Sequence, residues 1–250
     1  MTVSEKKFHN KFYKEKPDGD YMKNEELVRM FNLYFRLMLS RLRMHKDLKK
    51  CRVLSLGSGT GRLEFELAPH VKEVIGIDIS NVAVKLAKKQ NRFSNVDFLC
   101  APATNLPFEN EQFEAIVSLA TIHHVKNKEK LYQEISRVLK KNGLFYAIEP
   151  SSWGILHKIG ETVFKKTYDQ FHSPDEFRIN PFELKKNLLS YGFTNFEIDY
   201  CDFFFVPLVF LVKIHSSLLS NALYFLNRFL TIFPFLNVFS CQFTIFCIKT

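Results

Sequence analysis

Apolar residues recur at intervals of three and four through "EELVRMFNLYFRLMLSRL", where Leu27, Met30, Phe31, Tyr34, Leu37, Met38 and Leu42 form one stripe. That period predicts an amphipathic helix. From Arg52 the period changes. The short runs "RVLSL", "EVIGI", "NVDFLC" and "FEAIVSL" are rich in β-branched and aromatic residues and read as strands. Helical segments separate them: a short one through Leu67, then "SNVAVKLAKKQNRF" with Ser80 as its N-cap. A third, "KEKLYQEISRVLKK", is expected to close at "NG" before the strand "LFYAIE". Strand and helix thus alternate from Arg52 to Glu149, which implies βαβ units and a parallel sheet with helices on both faces.

Beyond Pro150 the alternation loosens. "PFELKKNLLSYGF" predicts a helix with Pro181 near its start and Gly192 past its end, and "FEIDYCDFFF" and "CQFTIFCIKT" predict strands. From Phe203 to Ile248 the only formal charges are Lys213 and Arg228. "FFFVPLVFLV" is half the length of a membrane span, and "SLLSNALYFLNRFLTIFPFL" is interrupted by Asn221, Asn227, Arg228 and Pro234, so no spanning helix is expected. The second segment is amphipathic, with Leu218, Leu219, Ala222, Leu223, Phe225, Leu226, Phe229 and Leu230 opposite Ser220, Asn221, Asn227 and Arg228. Two readings stand: a helical cap buried on the domain or in a dimer, or a hydrophobic acceptor pocket or interfacial membrane contact.

A chain of 250 residues accommodates one sizeable α/β domain, and its 27 phenylalanines crowd toward the C-terminus. The formal charge of +9 is spread over several helices, as at Lys85, Lys88, Lys89 and Arg92, and reads as solvated faces rather than a dedicated polyanion surface. The charged N-terminus lacks the apolar run of a signal peptide. Cys51, Cys100, Cys201, Cys241 and Cys247 are odd in number and show no C-x-x-C spacing. Neither a disulfide framework nor a metal site is expected from them, and a cytoplasmic location is.

Candidate chemistry begins at "VLSLGSGTGR", where Gly57, Gly59 and Gly61 follow the first strand and precede a helix. Such a turn lets a ligand approach backbone, and the helix start favours an anion. A dinucleotide fingerprint would need glycine where Arg62 stands, which disfavours a nicotinamide-dependent oxidoreductase, and the P-loop lysine and hydroxyl are missing. Asp78 ends the second strand about twenty residues on, where an acid faces the ribose of a bound nucleoside.

In order and spacing, "VLSLGSGTGRLEFELA", "VIGIDIS", "NLPFENEQFEAIVSLATIHHV" and "YQEISRVLKKNGLFYAIEP" resemble the class I S-adenosylmethionine-dependent methyltransferases, especially the methyltransferase-11 group of small-molecule enzymes, over Arg52 to Pro150. The resemblance implies an α/β, Rossmann-like, doubly wound and mostly parallel seven-stranded sheet with an antiparallel last strand. It implies S-adenosyl-L-methionine as cofactor. Gly57, Ser58, Gly59 and Gly61 would lie along its methionine portion, Asp78 would hold the ribose hydroxyls, and Ile79 would pack on the adenine. Ala103 and Thr104 would close over the adenine edge, and Leu119 and Ala120 would flank the methionine portion. Relatives often read "GDAENLPF" where this chain has "APATNLPF", so Pro102 replaces an acidic residue and Thr104 or a backbone carbonyl would take its place. That departure motivates the rival reading, a catalytically degenerate methyltransferase-fold scaffold.

Methyl transfer needs a positioned acceptor and sometimes a base. His123 and His124, just past the fourth strand, are the candidate bases, and His9, Tyr13 and Tyr21 lie on a candidate lid. The motif of base-amino methyltransferases is replaced by "SLATIHH", so nucleic acid is not the expected partner. The expected division is an N-terminal helical lid or cap at 1–50, a core at 51–204 with 240–250, and an apolar helical insert at 205–239. The expected activity is methyl transfer to a small, hydrophobic or lipid-linked acceptor, with peripheral membrane contact through 205–239. Oligomeric state is left open.

Overall fold

The computed structural model describes residues 3–17, 25–154, 173, 176–203, 222, 225–227 and 229–250. Two helices, α1 (Val3–Glu15) and α2 (Glu25–His45), precede an alternating run of β1 (Arg52–Leu56), α3 (Arg62–Leu67), β2 (Glu73–Asp78), α4 (Asn81–Gln90) and β3 (Val96–Cys100). Then come β4 (Phe113–Leu119), α5 (Lys128–Val138), β5 (Leu139–Pro150), α6 (Pro181–Ser190), β6 (Phe193–Asp202) and β7 (Gln242–Lys249). The seven strands are ordered β3-β2-β1-β4-β5-β7-β6. β1 to β5 run parallel, and β7 lies antiparallel between β5 and β6. This is the sheet the resemblance implied.

Strand alternation separates two cores. Val53, Val74, Phe98, Val117 and Tyr146 face α2, α3 and α4, while Leu54, Ile77, Ile116, Phe145 and Phe243 face α5 and α6. The C-terminal part of the stripe on α2 is buried here, Tyr34 nearly so and Met38 and Leu42 fully. The latter two each contribute about 1.5–3 kcal/mol relative to exposure. Helix starts are capped as the sequence requires: Ser80 accepts from the Ala83 N–H at 3.1 Å and Asn127 from the Lys130 N–H at 3.0 Å.

Two boundaries differ from expectation. Helix α5 stops at Val138, three residues before Lys141, because Leu139 is buried and pairs with Phe113 at the start of β4. The Gln112 N–H bonds the Val138 carbonyl, so a sheet ladder takes over where helical propensity alone would continue. Strand β6 begins at Phe193 rather than Phe196, directly after Gly192, whose φ of 83° turns the chain. A bulge at Asn195, φ 53°, then shifts its register against β7.

The insert is described at 222, 225–227 and 229–239 only; the remainder of 205–239 and Tyr21 lie outside the described residues. In the described part the polar and apolar faces are reversed relative to a buried cap. Asn227 is buried, accepting from the Phe203 N–H at 2.8 Å and donating to the Cys201 carbonyl at 2.9 Å. Phe225, Phe229, Ile232 and Phe235 are 70%, 55%, 67% and 71% exposed. No helix among the described residues is long and apolar enough to cross a membrane.

Candidate cofactor and acceptor site

Strand order reverses between β1 and β4, so the carboxyl ends of β1, β2 and β4 open onto one crevice. The glycine loop hangs at the end of β1, held down by Gly57 and Ser58 N–H groups that both donate to the Ile77 carbonyl, at 2.8 and 2.9 Å. Gly57, Gly59 and Gly61 all have positive φ. A Cβ at Gly57 would lie 2.1 Å from Thr121 Oγ1, and one at Gly61 would meet the rings of Phe98 and Phe65. At those two positions the missing side chain makes room for the protein itself. At Gly59 the room is likewise taken by protein, here from the N-terminal helix: a Cβ would lie 2.7 Å from the Tyr13 hydroxyl of α1.

Asp78 faces this bend. Its Oδ2 accepts from the Gly59 N–H at 2.9 Å and its Oδ1 from the Ser80 N–H at 2.7 Å. Burial pushes its pKa up, while those two N–H groups and His9 pull against the rise. The Ile79 N–H also acts on this carboxylate, and the acceptor capacity that remains is available to a hydroxyl donor. Ile79 is buried, and Ala101 N–H donates to the Asp78 carbonyl, drawing the β3 loop over the strand end. Ala103 turns its methyl into the core beside Leu106, and Thr104 is half-buried. The Pro102 carbonyl accepts from the Asn105 N–H at 3.0 Å.

Across the crevice, Leu119 is half-buried and Ala120 exposed, the latter with φ 50°. Thr121 then ties the two loops together, its hydroxyl lying 3.0 Å from both the Leu56 and the Leu119 carbonyls. The turn Ile122–His124 sits on Glu149, the penultimate residue of β5, which is buried. Glu149 Oε1 accepts from the N–H groups of Thr121 and Ile122 at 3.0 and 2.8 Å. Its Oε2 accepts from the His123 N–H at 3.2 Å and from His123 Nδ1 at 2.7 Å. The ring's other nitrogen, Nε2, lies 3.6 Å from Glu176 Oε1, so carboxylates flank both sides of the imidazole. The Lys128 ammonium bonds the Ile122 and Val125 carbonyls, and burial lowers its pKa to about 8.

Helix α1 lies over this end of the sheet. Asn10 accepts from Ser80 Oγ at 2.7 Å, and the His9 ring meets that of His124 edge-on at 5.0 Å. The structure therefore brings Gly57 to Gly61, Asp78, Ile79, Leu119, Ala120, His123 and His124 to one rim, and leaves the Ala103 side chain behind it. Thr121 and Glu149 carry no sequence signal of this role beyond an acid at a strand end. Glu64, on α3 below the glycine loop, is wholly buried, with the Ser55 hydroxyl and its own backbone N–H as its nearest, poorly aligned donors. Burial pushes it up to about 7.

A switch-point crevice with a glycine bend and an acid on the neighbouring strand defines a Rossmann-like nucleoside-binding domain. Residues 54–147 match the family described as a methyltransferase domain. The uncharacterized methyltransferase YcgJ of Bacillus subtilis (strain 168) is 33% identical over 101 residues, 39% of this chain and 40% of that protein. The phthiotriol/phenolphthiotriol dimycocerosates methyltransferase of Mycobacterium tuberculosis (strain ATCC 25618 / H37Rv) is 30% identical over 97 residues, 39% of this chain and 36% of that protein. The chain thus spans about two fifths of the length of these curated relatives. The Haemonchus contortus phosphoethanolamine N-methyltransferase 2 structure with S-adenosyl-L-methionine shares the fold, with a TM-score of 0.59, 20% identity, and coverage of 85% of this chain and 51% of that one. Residues 54–147 form a class I S-adenosylmethionine-dependent methyltransferase domain of the methyltransferase-11 type.

Proposed function

We propose that the chain is a methyltransferase that uses S-adenosyl-L-methionine to methylate a small, hydrophobic or lipid-linked acceptor. The observation that carries the cofactor half is the bond from Gly59 N–H to Asp78 Oδ2, which joins bend and acid into one cradle. The cradle fits the group: the Asp78 carboxylate keeps acceptor capacity for ribose hydroxyls, and the bend at Gly59 carries no side chain of its own, with the Tyr13 hydroxyl of α1 as its neighbour. When bound, the cofactor supplies an activated methyl group on a sulfonium. Ile79 packs against adenine, the backbone around Ala103 and Thr104 covers its edge, and Leu119 and Ala120 border the methionine portion.

His123 is the acceptor-side base in this reading. Glu149 holds its Nδ1 proton, which leaves Nε2 to take a proton from an acceptor hydroxyl or amine. His124 lies beside it, with ring centroids 4.0 Å apart, and borders the same space.

The acceptor half rests on topology. Gln242 of β7 pairs with both Pro150 and Asp202, so the insert leaves the sheet at the same rim as Glu149. Phe225, Leu226, Phe229, Ile232 and Phe235 point outward and Asn227 inward, an arrangement suited to a hydrocarbon surface. The mycobacterial relative's name, which specifies phthiotriol and phenolphthiotriol dimycocerosates, favours the same class of acceptor. Peripheral membrane contact through the insert belongs to this proposal.

The test is incubation of the protein with a cell extract and methyl-labelled cofactor, followed by mass spectrometry of the aqueous and organic phases. Label is expected in an organic-phase compound. Label confined to water-soluble products would overturn the acceptor class, and no cofactor binding by calorimetry would favour the scaffold reading.

A further inference from the structure

Helix α1 is polar, and the one described residue it buries completely is a carboxylate, Glu5. A buried carboxylate is costly without a cation beside it. Two imidazoles approach it. His9, one turn further along α1, places Nε2 3.1 Å from Glu5 Oε2, and His124, from the turn after β4, places Nδ1 3.6 Å from the same oxygen. The three donor atoms lie within 4.8 Å of one another. Metal–ligand bonds of about 2.0–2.2 Å in a tetrahedron separate neighbouring donors by about 3.3–3.6 Å. The two distances to Glu5 bracket that range.

The carboxylate is also oriented from behind. Ser173 Oγ donates to Glu5 Oε1, which turns the other carboxylate oxygen toward the two imidazoles; its 3.2 Å contact with His124 Nδ1 is one that a bound cation would displace. Outer hydrogen bonds of this kind fix ligand orientation in metal sites. One carboxylate and two imidazoles suit a borderline-soft divalent ion such as zinc, with a fourth position open to water.

We propose that Glu5, His9 and His124 form a divalent-cation site of the zinc type that fastens α1 across the crevice. The site joins the lid helix to the loop that carries His123, so an ion held there couples lid position to the acceptor end. A second group, His123, His124 and Glu176, shares His124. That group would use His123 Nε2, 3.6 Å from Glu176 Oε1, and neither Glu5 nor α1 takes part in it.

The experiment is calorimetric titration of the full chain, stripped with chelator, with zinc chloride alone. It needs neither methyl donor nor acceptor, so it reads independently of the proposed activity. One equivalent should bind with micromolar or tighter affinity, and His9→Ala and His124→Ala should each weaken it at least about a hundredfold. Glu176→Gln and Cys100→Ser should leave it unchanged. Zinc should also slow tryptic cleavage at Lys11 and Lys14 in the parent chain and not in His9→Ala. No binding up to about 100 μM, or affinity unchanged by His9→Ala, overturns the proposal. Loss in Glu176→Gln with retention in His9→Ala assigns the ion to the second group and overturns it equally.

Discussion

The backbone N–H of Gly59 and the carboxylate of Asp78 meet at 2.9 Å, so the bend after β1 and the tip of β2 are physically one unit. Replacing Asp78 by Ala removes the proposed ribose acceptor and also the bond that holds the loop. Cofactor affinity measured by calorimetry should fall about tenfold or more, a decade being 1.4 kcal/mol. A folded Asp78→Ala protein with parental affinity would exclude Asp78 from the site.

Gly57 serves packing. A methyl there collides with three atoms of Thr121, at 2.1, 2.6 and 2.8 Å, on a backbone of φ 72°. Gly57→Ala should destabilise the domain by about 2 kcal/mol or more through strain and overpacking. Thermal melting should show a loss of about 5 °C or more. Adding Thr121→Ala removes two of the three colliding atoms and should recover part of the loss; a double variant no better than Gly57→Ala would contradict the contact.

Glu64 makes stability depend on pH in a direction opposite to that of a salt-bridged carboxylate. Its pKa rises from an ordinary 4.5 to about 7 through burial. Between those values the native state keeps a proton that the unfolded chain has released, so stability falls as pH climbs through the window and levels off above it. The full effect is about 3 kcal/mol. In urea denaturation at pH 5 and pH 8, Glu64→Gln should lose this contribution to the slope and exceed the parent in stability at pH 8. Equal slopes in the two proteins would refute it.

Phe225 and Phe229 are solvent-facing in the described insert. Changing both to Ser should leave the melting temperature nearly unchanged, as surface substitutions do. Sedimentation with lipid vesicles should drop severalfold. Equal pelleting of parent and variant would sink the membrane contact.

Much of this fold was legible because its periodicities are local. β1 to β5, the Ser80 cap and the stripe on α2 follow from residues that are neighbours in sequence. The end of α5 was not legible, since Leu139 joins β5 only through its pairing with Phe113, which no local pattern encodes. The site divides similarly. Gly59 and Asp78 announce themselves by type and position in a strand–turn–helix unit. Glu149 supports the His123 turn from 26 residues away, and Glu5 meets Ser173 across 168. Such partners become visible only once the sheet has brought distant segments to one rim. The glycines were legible as a bend but not in their division of labour, since Thr121, Phe98 and Tyr13 arrive from three separate elements.

The long excursion between β6 and β7 begins and ends at a single clasp, where Ser240 Oγ and the Cys241 N–H both reach the Asp202 carbonyl. Stem closure of this kind uncouples what the loop contains from whether the sheet assembles. On the proposed reading acceptor choice and nucleoside grip sit on separable units, and a foreign segment spliced between Phe203 and Ser240 should leave cofactor affinity intact while changing which acceptor is taken.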